Sequence, residues 1–89
     1  MEEKHRERAI GLQYDPEKDS APKVKVKGAG FLAERIIKMA RQYGVPIKQD
    51  TELVETLYAL DINQEIPPEL YKAVAEILAY IYRMSKKLP

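Results

Sequence analysis

Ala9-Ile10-Gly11-Leu12-Gln13-Tyr14-Asp15-Pro16-Glu17-Lys18-Asp19-Ser20-Ala21-Pro22-Lys23-Val24-Lys25-Val26-Lys27-Gly28 is the stretch on which the fold turns. Ile10, Leu12 and Tyr14 alternate with Ala9, Gly11 and Gln13, which is the period-two pattern of a strand. Lys23 to Lys27 alternates strictly, with Val24 and Val26 inward and three lysines outward. That is a half-buried strand with lysines on its solvent face, and lysines of this kind often protect an edge from stray pairing. Between the two, Asp15 to Pro22 collects two prolines, two aspartates and a serine, the composition of a turn-rich connection.

Beyond this stretch the period changes from two to 3.6. Gly28 and Gly30 open a helix on which Leu32, Ile36, Met39, Ala40 and Tyr43 recur at helical spacing, with Phe31 and Ile37 widening the stripe. Gly44 supplies the stop. Val45-Pro46-Ile47 reads as a short strand, and Pro46, having no N–H, suits a strand start or an edge. Asp50 or Thr51 caps a second helix with Leu53, Val54, Leu57 and Tyr58 on its apolar side. Asp61 to Ile66 is an irregular turn. Pro67-Pro68-Glu69 starts the last helix, because proline fits the first turn and an acid there complements the dipole. That helix buries Leu70, Val74, Ile77, Leu78 and Ile81 and ends in the basic run Arg83 to Lys87. Residues 1–8 show no apolar pattern and are expected to be a flexible lead-in. The expected fold class is therefore α/β: a small mixed sheet covered by helices, order β-β-α-β-α-α, with residues 9–87 as one domain.

Composition narrows the function. A chain of 89 residues makes at most one domain. It has no cysteine, which excludes a disulfide scaffold, thiolate metal sites and a Cys nucleophile, and fits a reducing compartment. Its one histidine lies near the N-terminus and argues against a histidine-based metal or triad site. The net charge is +1, with ten Lys/Arg against seven Asp/Glu in residues 1–44 and five against seven in residues 45–89. This asymmetry can orient a partner but is too small to specify one. Met1 is followed by charged residues, not by a signal peptide, and the longest apolar run, Ile77 to Tyr82, falls far short of the ~20 residues that span a bilayer.

Several blocks carry a family resemblance. They are Tyr14 to Pro22, Lys27-Gly28, Phe31 to Ile36, Gly44 to Ile47, Leu57-Tyr58, Gln64 to Pro67, Glu69 to Tyr71 and Ala73 to Tyr80. In this order they resemble the cytosolic domain of the FlhB/YscU/SpaS export-switch family of flagellar and type III secretion systems. The resemblance implies flagellar biosynthesis and protein export as the setting, and a substrate-specificity switch as the family's task. In that family an Asn-Pro-Thr-His tetrapeptide precedes the strand leading into the Tyr-Asp-Pro turn. The asparagine side-chain amide attacks its own backbone carbonyl there and cleaves the chain. In this sequence those positions hold Lys4, His5, Arg6 and Glu7, and no Asn-Pro pair exists anywhere, so autocleavage is not expected. The family proteins carry a membrane domain before this segment. The chain is thus expected to be cytoplasmic, recruited to the membrane export gate, and similar to the released C-terminal half of the switch protein. No enzymatic activity and no cofactor are expected. The implied partners are the cytosolic domain of the large gate protein, early export substrates and a truncated switch protein. No nucleic acid, small-molecule substrate or membrane insertion is expected. The alternative is a diverged protein-interaction module unrelated to secretion.

The family also has a strand upstream of the tetrapeptide that pairs into the sheet. Only Met1 to Glu3 precede the corresponding positions here, so the sheet is expected to lack one strand. A sheet short of a strand offers unpaired N–H and C=O groups to another chain. Ala9, Ile10, Gly11, Leu12, Gln13 and Tyr14 are the expected partner-binding residues, together with Tyr80, which falls off the Val74–Ile77–Ile81 stripe. The basic strand Lys23, Lys25, Lys27 is read as a solvated face, because valines and not aromatics separate its lysines. Gly28-Ala29-Gly30 lacks the rest of a phosphate-loop pattern. The acid pairs Glu52/Glu55 and Glu65/Glu69 show no sign of burial that would suit acid–base chemistry.

Overall fold

The computed structural model describes residues 7–86. Lys4, His5 and Arg6 lie outside the described residues. Strands β1 (Arg8–Gln13) and β2 (Lys23–Ala29) form a two-stranded antiparallel sheet. Helix α1 (Phe31–Gln42) follows, then α2 (Thr51–Tyr58), a 3-10 turn at Pro68–Leu70, and α3 (Tyr71–Lys86). The architecture is the α/β arrangement expected, a small sheet covered by helices. The sheet begins at Arg8, and the Glu7 carbonyl accepts a hydrogen bond of 2.7 Å from the Gly30 N–H. The difference lies at Val45-Pro46-Ile47, which has no ladder partner among the described residues, so the sheet is purely antiparallel.

The register explains which face each strand residue serves. Pairs run from Arg8 opposite Ala29 to Gln13 opposite Lys23, with a shift between Gly11, opposite Val26, and Leu12, opposite Val24. Lys25 is left without an opposite residue, which is a β-bulge. Paired residues share a face and successive residues of a strand alternate. Gly11 and Leu12 therefore point to opposite sides, and so do their partners Val26 and Val24. Val24 is completely buried, whereas Val26 is 40% exposed. The expectation that both valines point inward fails at Val26 because the bulge resets the alternation between them.

The two faces carry different helices. Ile10 and Leu12 pack on the core cluster of Ala21, Leu53, Leu57, Ile66 and Val74, the side of α2 and α3. Lys27, opposite Ile10, is on this side too. Its ammonium donates to the carbonyls of Tyr58 (3.0 Å) and Leu60 (2.8 Å) at the end of α2. A cation bonded to the last carbonyls of a helix satisfies orphan acceptors and complements the dipole. Gly28 faces the other way. A Cβ there would lie 2.5 Å from Leu32 Cγ and 2.9 Å from Ile36 Cδ1, so α1 rests directly on the backbone of β2. The sheet is thus clamped between α1 and α2.

Local signals set the helix ends. Gly30 takes φ 63° and Gly44 φ 73° on either side of α1, a backbone state that costs other residues. Asp50 caps α2 by accepting from the Leu53 N–H at 3.1 Å. The β1–β2 connection is a closed hydrogen-bonded turn. The Asp15 carbonyl accepts from the N–H groups of Lys18 (3.0 Å) and Asp19 (2.7 Å), and the Asp19 carboxylate accepts from the Asp15 N–H at 3.0 Å. Asp19 also pairs with Lys23 at 3.4 Å.

Two outcomes follow from this packing. Gly28→Ala forces Leu32 and Ile36 away from the sheet, and overpacking of this kind costs about 1–3 kcal/mol. It should lower the urea midpoint of unfolding without changing its slope. The hydrogen bond from the Asp15 N–H, with help from Lys23, holds the Asp19 carboxyl below its ordinary 3.8. A depressed folded-state value means stability present above the unfolded value and lost as pH falls through the folded one. The melting temperature should therefore drop as the pH is taken from neutral to below about 4, and less so in Asp19→Asn.

Candidate protein-docking site

Helix α3 begins with Tyr71, Val74, Ala75 and Leu78, spaced three and four apart and hence on one stripe. Across from them the turn brings Ser20, Ala21 and Pro22, and the strand end brings Tyr14. Ile66 closes the gap, held by the bond from its N–H to the Pro22 carbonyl at 2.9 Å. These residues line an open apolar groove of about 190 Å³. Ala21, Ile66 and Val74 are buried and form its floor, while Tyr14 (44% exposed) and Tyr71 (45%) stand at its rim. The volume is below the ~300–1,000 Å³ typical of drug-sized ligand pockets, and suits one or two apolar side chains. The groove has no charged lining residue. Its lining residues with polar side chains are Tyr14, Ser20 and Tyr71, whose hydroxyls are groups that can bond to a peptide backbone. No trio of His, Cys, Asp or Glu able to hold a metal occurs among the described residues.

The residues expected at a partner site are dispersed. Tyr14 lines the groove. Ala9 is buried, and Ile10 and Leu12 are partly buried against the core. Gln13 is exposed and Gly11 stands opposite Val26. Tyr80 is 42% exposed and sits away from the groove, with the Lys48 ammonium 5.8 Å from its ring centre. Of the four cleavage-motif positions only Glu7 is described, and it is exposed. Sequence reasoning missed the groove because Ala21 and Pro22 read as turn residues and Tyr71 and Ala75 as the margin of a helix. The available signal was the Tyr71–Ala75–Leu78 spacing beside the core stripe.

The basic strand is engaged within the molecule. Lys23 pairs with Asp19, Lys25 donates to Asn63 Oδ1 at 2.9 Å, and Lys27 caps α2. Arg8 bonds to Glu55 at 2.8 Å and lies 4.6 Å from the centre of the Tyr58 ring, which Lys27 also approaches at 5.1 Å. The face expected to be solvated is therefore a set of tethers, Lys23 to the β1–β2 turn and Lys25 and Lys27 to the chain from the end of α2 to Asn63.

The second edge of β2 is partly covered. Lys23 bridges to Glu65, the Val24 N–H donates to the Gln64 carbonyl at 3.0 Å, and the Asn63 N–H donates to the Val24 carbonyl at 2.6 Å. β1 has no second strand partner among the described residues.

Comparison with known proteins bears on the family and the fold. The model of the FlhB HrpN YscU SpaS family matches residues 6–81. The flagellar biosynthetic protein FlhB of Aquifex aeolicus is 47% identical over 81 residues, covering 90% of this chain and 23% of that protein. YlqH of Bacillus subtilis is 43% identical over 81 residues, covering 91% of this chain and 87% of that protein. The chain thus spans about a quarter of FlhB and most of YlqH. Among solved structures, the cytoplasmic domain of FlhB from Shewanella putrefaciens superposes with a TM-score of 0.85 at 31% identity, over 90% of this chain and 66% of that one. The PscU C-terminal domain superposes with a TM-score of 0.78 at 32% identity, over 83% of this chain and 95% of that one. By sequence and by fold, this chain belongs to the FlhB/HrpN/YscU/SpaS family of flagellar and type III secretion export proteins.

Proposed function

We propose that this chain is a non-enzymatic, protein-binding component of flagellar or type III protein export, working as the C-terminal part of the export switch does. The observation that carries the reading is the apolar groove between α3 and the Ser20–Pro22 turn, on a domain of this family. A groove this small, apolar and without reactive groups can hold a side chain of a passing polypeptide. Its tyrosine rim can orient that polypeptide, since amphipathic tyrosines favour interface contacts. Partners of the kind the family implies are early export substrates, the cytosolic part of the large gate protein and a switch protein truncated before its cleavage motif. Lys4, His5, Arg6 and Glu7 stand where the family carries Asn-Pro-Thr-His, so the chain does not switch by cleaving itself. It works in the cytoplasm and is recruited to the membrane gate. No described helix is long and apolar enough to cross a membrane.

Genetic complementation tests the reading. A strain whose switch protein ends just before its cleavage motif is supplied with this chain in trans, and hooks and filaments are counted. Restored export supports the reading. Soluble expression without rescue points to the second possibility, a module that has left secretion.

Two substitutions sharpen the test. Ala75 is exposed at the groove wall, so Ala75→Glu should change stability by less than about 0.5 kcal/mol. It should weaken partner binding about tenfold or more, by placing a charge against an apolar ligand. Unchanged affinity by calorimetry would remove the groove from the account. Tyr80→Ala should leave the melting temperature nearly unchanged and reduce binding to any partner that also contacts this exposed ring; a large loss of stability would show that Tyr80 serves the core instead.

A further inference from the structure

The cations of this domain are used in two ways. On β2, Lys23 pairs with Asp19, Lys25 donates to Asn63 and Lys27 caps α2. On α1, Arg35, Lys38 and Arg41 are exposed, and none of them makes an ion pair with a described residue. The helix carries a single acid, Glu34. Beside these idle cations runs an apolar stripe. Leu32, Ile36, Met39 and Tyr43 are spaced four, three and four apart and so share one side of the helix. Leu32 and Ile36 meet the sheet at Gly28. Even so, Leu32 is 52%, Met39 51% and Tyr43 73% exposed.

The helical period places these rows around the axis. Ala33 is completely buried and marks the side of α1 that faces inward. At about 100° per residue, Leu32, Met39 and Tyr43 lie roughly a quarter turn from Ala33, whereas Arg35, Lys38 and Gln42 lie nearly opposite it. The cations thus form the outer crest, and the apolar stripe runs along the flank where α1 meets the sheet. A flat bilayer pressed on the crest would meet charge and no apolar side chain. A second helix laid along the flank would bury the stripe and bring its outer side against Arg35 and Lys38.

We propose that this flank of α1, with Leu32, Met39 and Tyr43 as its apolar contacts and Arg35 and Lys38 at its lip, docks an acidic amphipathic helix of a partner protein. The surface lies across the sheet from the core cluster that floors the groove, so the proposal does not rest on the groove. The chemistry of the occupant follows from the two rows. α1 has 12 residues, so about three turns of partner helix can lie along it. That helix has Leu, Ile or Met at positions i, i+3, i+4 and i+7, and Asp or Glu beside them on the side facing the cations. The apolar contacts supply affinity, and the charges supply orientation and choice of partner. A second copy of this chain is a poor occupant. Its α2 carries Glu52 and Glu55 and no cation, but turns Leu53 and Leu57 into its own core.

The test uses the full chain, isotopically labelled, and a designed peptide Glu-Leu-Ala-Glu-Leu-Leu-Glu-Ala-Leu-Glu-Glu-Leu. A twin with Lys at every Glu keeps the apolar stripe and reverses the charge. The acidic peptide should shift the amide resonances of residues 31–43 and half-saturate below about 1 mM. The twin should bind about tenfold more weakly or worse, and raising salt from about 0.05 to 0.5 M should weaken the acidic peptide several-fold. Arg35→Glu combined with Lys38→Glu should reverse the preference between the peptides. Met39→Ser should weaken both. All three positions are exposed, so neither variant should move the melting temperature. The proposal is overturned if millimolar peptide shifts nothing, if both peptides bind alike, or if the shifts fall on Tyr14, Ala21, Ile66 and Val74 of the groove. It is equally overturned if the acidic peptide binds only after residues 1–6 are removed. It also fails if the chain sediments with phosphatidylserine vesicles through Arg35 and Lys38 while ignoring the peptide.

Discussion

The pairing of β1 with β2 is the constraint on which the rest of the molecule depends. Two strands alone are marginal in water, and need a third layer to persist. Here that layer comes from both sides. Gly28 lets α1 approach to side-chain contact with the backbone of β2, and Lys27, one residue away, reaches the carbonyls at the end of α2 from the opposite face. The alternation of a strand thus divides two neighbouring residues between two helices. Arg8 adds a tether at the start of β1 through Glu55 and Tyr58. The ion pair itself is exposed and contributes little, but it places the first residue of the sheet over the last turn of α2.

The core that results is small, with Val24 and Val74 as its largest completely buried side chains. A domain of this size leaves apolar surface on show, and the way that surface is gathered is informative. One part lines the groove between α3 and the β1–β2 turn, on a floor of Ala21, Ile66 and Val74 that the core itself provides. Another lies along residues 43–47, where Tyr43, Val45 and Ile47 are exposed.

The turn between the strands serves the core and the groove together. Asp15 and Asp19 close it by main-chain and carboxylate bonds, and Lys23 holds Asp19 from the first residue of β2. The same turn presents Ala21 and Pro22 to the groove and receives Ile66 through the Pro22 carbonyl. The turn that joins the strands therefore also supplies part of the groove wall.

The elements were legible from the residues alone because their causes are local. Alternation in Ile10–Tyr14 and Lys23–Lys27, the positive-φ glycines at 30 and 44, the Asp50 cap and the Pro67-Pro68 start each act within a few positions of themselves. The same local blocks carried the family resemblance and the absence of the cleavage tetrapeptide. What the tertiary structure alone decided depends on residues far apart. The bulge at Lys25, which turns Val26 away from the side Val24 serves, arises from how two strands meet, and no pattern within β2 announces it. Lys27 looks like a solvent lysine until Tyr58 and Leu60 arrive from 31 and 33 residues downstream. Val45-Pro46-Ile47 has the sequence of a strand, but a strand exists only when a neighbour offers hydrogen bonds, and none of the described residues does. The groove, made of positions 14, 20–22, 66 and 71–78, is a property of their meeting and of none of them singly.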